Sequence, residues 1–139
     1  MFTLFSDPAP VDAIPTWQSF LSPFNEIVGF SSFGLFFLRN NNTNEYGVLH
    51  PFVPSVKSYP AFDSLEDFHD QILTDEYFVQ VYLRPKDLET LQKSVGPLGE
   101  QDIYIPQPYP HMGGSGDLAT YDKGDVLVFA DIVAQTHGL

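Results

Sequence analysis

Cysteine is absent from the 139 residues, which excludes disulfides, thiolate nucleophiles and thiolate metal sites. Cations are scarce: six Lys and Arg stand against eighteen Asp and Glu, a formal net charge of −12. A chain this poor in basic residues cannot displace counterions from a phosphate backbone, and anionic lipid repels it for the same reason. Neither nucleic acid nor membrane is therefore an expected partner. Long apolar runs are also missing. Stretches such as Phe33–Leu38 fall far short of the ~20 residues needed to span a bilayer. The opening "MFTLFSDPAP" has neither the basic region nor the apolar run of a secretory signal, so the expected location is the cytoplasm.

Signatures of chemistry are equally thin. His50, His69, His111 and His137 form no HxH, HxxxH or HExxH pattern, which argues against zinc. No GxSxG elbow is present. The glycine cluster at Gly113–Asp117 invites a phosphate-loop reading. It lacks a helix straight after it, its nearest cation is Lys123, and Asp117, Asp122 and Asp125 surround it. A turn that needs positive φ explains it better. The expectation is a protein without catalytic residues, cofactor or bound metal.

What the chain does have is apolar and aromatic mass. It is 43% hydrophobic and 15% aromatic, with 13 Phe and 7 Tyr, enough for one real core and one domain over residues 1–139. Within it, 1–26 reads as an N-terminal helical segment and 27–139 as the core. "DAIPTWQSF" predicts a short helix capped by Asp12, with Trp17, Phe20 and Leu21 on one face. Three strands follow, at Ile27–Ser32, Phe33–Asn40 and Glu45–Phe52, the last two joined by the turn "NNNTN". "VKSYPAF" suits an edge strand, because Pro60 cannot serve a central ladder.

The period then changes. Leu65, Phe68, Ile72 and Leu73 recur at helical spacing within Asp63–Leu83, entered by Ser64 with Asp67 as a capping box. Thr74 is the expected cap of a second helix, and Arg84–Gly96 reads as another, with Pro85 in its first turn and Gly96 past its end. "QDIYIPQ" predicts a strand with Ile103 and Ile105 on one side and Tyr104 on the other. "KGDVLVFADIVAQTHG" predicts a final helix whose apolar face is Val126, Phe129, Ala130 and Val133. Clustered rather than alternating strands argue for an α+β fold, mainly an antiparallel sheet with helices over one face.

The acidic residues are unevenly spread. Asp63, Glu66, Asp67, Asp70, Asp75 and Glu76 follow one another with no Lys or Arg between them. Such a run is either a solvated helix face or a surface for a basic partner, and composition alone leaves both open. Tyr77 and Tyr82, and further along Tyr104 and Tyr109, are candidate aromatic anchors beside it.

"VGFSSFGLFFLRNNNTNEYGVLHPF" resembles the strand–turn–strand segment of a family of bacterial immunity proteins that protect against DNase toxins delivered by type VI secretion. The likeness rests on Phe33–Leu38 and Glu45–Pro51. It continues through the helix start Ser64–Phe68 and then Val95–Leu98, where relatives have Leu in place of Val95. Ile103–Tyr104, Pro110, Met112–Gly114 and Ile132–Gln135 complete it. SUKH-type immunity proteins share the same acidic, aromatic, α+β character. The resemblance implies a non-catalytic protein, monomer or weak homodimer, that binds and blocks a basic nuclease toxin. A SUKH-like scaffold or ligand-binding protein, and a small metal-dependent hydrolase, are the competing readings.

Overall fold

The computed structural model describes residues 1–139. Five strands form one antiparallel meander in chain order: β1 (Phe2–Pro10), β2 (Glu26–Ser31), β3 (Phe36–Asn40), β4 (Glu45–His50) and β5 (Ser55–Ala61). The β3–β4 hairpin closes where expected. Asn44 takes the left-handed conformation at φ 59°, and its amide donates to the Asn40 carbonyl at 2.8 Å. The strand expected from Phe33 begins only at Phe36. Ser31–Leu35 turns first, with Ser31 Oγ accepting from the amides of Phe33 and Leu35. Gly34 is required in that turn: its φ is +87°, and a Cβ would stand 2.8 Å from the Phe129 ring. The free edge of β5 carries Pro60 and Lys57, residues that discourage pairing with another chain.

The N-terminal segment differs from the helical expectation. Phe2–Pro10 pairs with β2 as an edge strand, with a register shift between Leu4 and Ala9. Only two 3₁₀ turns follow, Val11–Ala13 and Pro15–Trp17. Asp12 caps neither, because its position lies inside the first turn. The aromatic face is nonetheless as read: Trp17 and Leu21 are buried, and Trp17 Nε1 donates to the Ala130 carbonyl at 2.8 Å.

The sheet is covered on both faces, not one. Alternation in β2–β4 sends Ile27, Phe36, Leu38 and Leu49 to one side. There α4 (Val126–Thr136) lays Val126, Phe129, Ala130 and Val133 against them. Val28, Phe37, Tyr46 and Val48 point the other way, under Phe68, Leu73, Phe78 and Leu83 of the helical layer. That layer is built of two short α-turns that widen into π-turns: α1 (Leu65–Phe68) into His69–Leu73, and α2 (Glu76–Phe78) into Val79–Leu83. Both sides of β2–β4 are apolar, so one helical layer could not bury them.

A second, two-stranded sheet joins β6 (Asp102–Pro106) to β7 (Tyr121–Asp125). Ile103 and Ile105 reach the α4 side, and Tyr104 packs with Phe33, Leu88 and Leu91 beneath α3 (Pro85–Ser94). β7 takes up Lys123–Asp125, so the final helix expected from Lys123 begins only at Val126. Asp125 caps α4, accepting from the amides of Leu127 and Val128 at 2.9 and 3.0 Å. The architecture is one α+β domain.

Candidate functional site

The acidic run folds as the solvent side of the α1–α2 layer. Ser64 Oγ accepts from the Asp67 amide at 3.2 Å, which starts the first turn as expected. The second start falls one residue later than predicted. Asp75 Oδ2 accepts from the Phe78 amide at 3.0 Å, while Thr74 Oγ1 donates back to the Asp70 carbonyl. With Phe68, Leu73, Phe78 and Leu83 turned inward, Asp63, Glu66, Asp70, Asp75 and Glu76 are left exposed and Asp67 half-buried. His69 Nδ1 lies 2.9 Å from Asp70 Oδ1. Tyr77, next in sequence to Glu76, is 66% exposed, and Val81 44%. Tyr82 is half-buried, its ring edge-on to Tyr77 and to His50. The structure therefore places the six acidic residues, Tyr77 and Tyr82 in one layer.

It does not bring Tyr104 and Tyr109 to that surface. Tyr104 is 1% exposed and its hydroxyl donates to the Gly96 carbonyl at 2.5 Å; burial pushes its phenol pKa up. Tyr109 is 8% exposed, packed against Phe52 and Phe129, and burial raises it likewise. Both were expected as contact anchors. They are core residues: β6 is buried from Ile103 to Pro106, and Tyr109 turns inward from an otherwise exposed turn.

Two of the four histidines meet each other. The His111 and His137 rings stack at 4.2 Å. His111 Nε2 meets Thr136 Oγ1 at 2.7 Å, and His137 Nε2 meets the Pro51 carbonyl at 2.7 Å. Burial, then the neighbouring His137, lowers the His111 pKa. No group of three His, Asp or Glu side chains is placed to hold a metal ion. The glycine cluster is a turn: Gly113 and Gly116 have φ of +93° and +75°, and a Cβ on Gly114 would lie 2.0 Å from the Pro108 carbonyl.

Two of the concavities are lined by six or more apolar residues. One, of about 390 Å³, is an apolar groove beneath β1, lined by Phe5, Ala9, Ile27, Phe30 and Val126 with Glu100 at its rim. The other, of about 220 Å³, surrounds Arg84. Arg84 is left-handed, φ 56° and ψ 60°, where the π-turn ends and α3 begins. Its guanidinium carbon lies 4.1 Å from the Phe33 ring centroid and 5.4 Å from that of Tyr121. Nε donates to Asp87 Oδ2 and Nη1 to the Tyr121 hydroxyl, each at 3.0 Å. The sequence reading placed Arg84 only as the residue before a helical proline. Its aromatic partners lie 51 and 37 positions away, at Phe33 and Tyr121, too far for local spacing to reveal them.

With the fold in view, one solved structure offers a comparison. The crystal structure of Atu4351 from Agrobacterium tumefaciens is similar to this chain with a TM-score of 0.62 and 18% identity. The alignment covers 96% of this chain and 66% of that one, so the chain spans just under two thirds of that protein's length. At this identity the likeness shows the fold alone. No family model matches the sequence, and no curated protein does. No helix is long and apolar enough to cross a membrane.

Proposed function

We propose that this chain is a non-catalytic binding protein of the immunity type, which neutralises a basic secreted toxin, a nuclease, by occluding it. The observation that carries this reading is the α1–α2 layer. Its inner side is apolar and closed, and its outer side exposes Asp63, Glu66, Asp70, Asp75 and Glu76 together with Tyr77. Like charges at i, i+3 and i+4 spacing cost an isolated helix a few tenths of a kcal/mol per pair, so the monomer gains nothing from gathering them. A nuclease must be basic where it grips phosphate, and carboxylates presented on a rigid layer are complementary to such a cleft. Aromatic side chains such as Tyr77 supply contact energy, while the carboxylates supply steering.

The reading is tested by co-expressing the chain with the protein encoded by the neighbouring reading frame. A stoichiometric complex that suppresses that protein's nuclease activity is the expected result. Separate elution with undiminished activity would remove the toxin-neutralising role. A second reading, a small-ligand-binding protein, is favoured by one observation: the aromatic cleft around Arg84.

A further inference from the structure

We propose that the cleft around Arg84 is a binding site for a small carboxylate carried on a one-ring apolar body. The proposal does not depend on a protein partner.

The walls are largely apolar: Phe33, Phe52, Tyr82 and Tyr121 are aromatic, and the remainder apart from Arg84 is aliphatic or proline. Arg84 is the one charged residue in that lining. In a chain of net charge −12, a concavity whose lining holds a cation and no carboxylate is unusual. Asp87, which accepts the Nε proton, lies outside the lining.

The unused hydrogen-bonding capacity is weighted towards donors. A guanidinium has five N–H donors and no acceptor. Two of its nitrogens, Nε and Nη1, are engaged within the protein, and Nη2 has no protein partner. Tyr121 already accepts from Arg84 through its oxygen, which leaves its own O–H free to donate. The Tyr82 hydroxyl has no partner within the protein, since its contacts are ring contacts with His50, Tyr77 and Phe78. A surplus of donors around a fixed cation favours a ligand rich in acceptors, and a carboxylate matches the planar fork of Arg.

The fork is held in place. Stacking on Phe33 and the contacts to Asp87 and Tyr121 fix the guanidinium before any ligand arrives. Its backbone sits in the left-handed region, which ordinary side chains seldom adopt and which Gly or Asn would fill more comfortably. Strain of this kind concentrates at ligand clamps, and π-turns such as Val79–Leu83 recur at functional sites. Size sets the rest. At about 220 Å³ the cleft is below the roughly 300–1,000 Å³ of sites for drug-sized molecules, so one ring and its carboxylate fill it.

The test is an NMR titration of the isotope-labelled chain with sodium benzoate and sodium phenylacetate, and in parallel with benzamide, the neutral isostere of benzoate. Saturable shifts are expected at the amides of Val81–Arg84 and Tyr121, with benzamide weaker by about tenfold or more, as loss of a charge-assisted pair requires. Tyr121→Phe keeps the ring, removes one donor and is expected to weaken benzoate several-fold. Arg84→Lys keeps the charge, removes the fork and is expected to weaken it about tenfold. Should Arg84→Lys not fold, the benzoate–benzamide pair on the unaltered protein and Tyr121→Phe still decide. No saturable shift from either carboxylate at about 10 mM, ten times a millimolar dissociation constant, would overturn the proposal. Equal binding of benzoate and benzamide, or shifts confined to surface lysines, would overturn it as well.

Discussion

The ring of Tyr46 on β4 lies nearly flat on the ring of Phe68 in α1, centroids 4.7 Å apart and planes 12° from parallel. Both side chains are fully buried, and Phe37, Tyr59 and Phe62 meet Phe68 edge-on or tilted. This cluster ties the acidic layer to the sheet, so it also fixes where the carboxylates stand. Phe68→Ala is expected to cost about 3–5 kcal/mol of folding stability by denaturant unfolding. A loss below about 1 kcal/mol would mean that the layer is held elsewhere.

Gly29 carries a different kind of constraint. A Cβ there would stand 2.2 Å from the Thr3 carbonyl oxygen, so any side chain pushes β1 off the sheet. In Gly29→Ala, hydrogen exchange is expected to accelerate in Phe2–Leu4 well before it does in β3 or β4. Uniform acceleration across the five strands would show that β1 is not a separable edge.

His50 gives the fold a pH dependence. Burial, then the nearby Lys57, lowers its pKa from the ordinary 6.5. A histidine lowered in the native state binds fewer protons folded than unfolded. Its contribution is therefore whole above about pH 6.5 and is lost as pH falls below it. The melting temperature is expected to drop between about pH 7 and 5.5, with a shallower drop in His50→Gln. Parallel curves for the two proteins would assign the slope to other groups.

Arg84 in its left-handed conformation makes a prediction independent of any ligand. Arg84→Gly removes backbone strain of about 1–3 kcal/mol but also removes the stacking on Phe33 and Tyr121 and the ion pair with Asp87. The net change in stability is expected to be small, within about 1 kcal/mol, whereas Arg84→Val, which loses the same contacts and adds β-branched strain, is expected to cost about 2 kcal/mol or more. Equal losses from the two would show that the backbone strain is negligible.

Elements whose side chains alternate or recur were legible in the sequence. The β3–β4 hairpin, the helical period of Leu65, Phe68, Ile72 and Leu73, and the inward face of α4 all follow from side-chain period. β1 and β7 do not, for separate reasons. In β1, Asp7, Pro8 and Pro10 are turn formers, and the pairing skips from Leu4 to Ala9. In β7, "YDKGD" has one aromatic ring, Tyr121, and no apolar alternation, and it is a strand because its backbone completes the ladder of β6. Tyr104 looked like a surface anchor because the strand period sets it opposite Ile103 and Ile105 but does not show that α3 covers that side, and Tyr109, in a proline-rich turn, has no period to reveal its burial. The acidic run was legible as a run. Its display on one side of a layer became visible only when Phe68 and Phe78 were seen to point inward.

The central claim is that this layer meets a basic protein, and association kinetics test it most directly. The rate would be measured by stopped flow against the protein encoded by the neighbouring reading frame, across a range of ionic strength. The comparison is with a variant carrying Asp63→Asn, Glu66→Gln, Asp70→Asn and Glu76→Gln, which leaves the Asp75 cap in place. The account predicts association slowed by about tenfold or more at low salt, a flatter salt dependence, and a dissociation rate little changed. Association that stays as fast and as salt-sensitive as in the unaltered protein would contradict it.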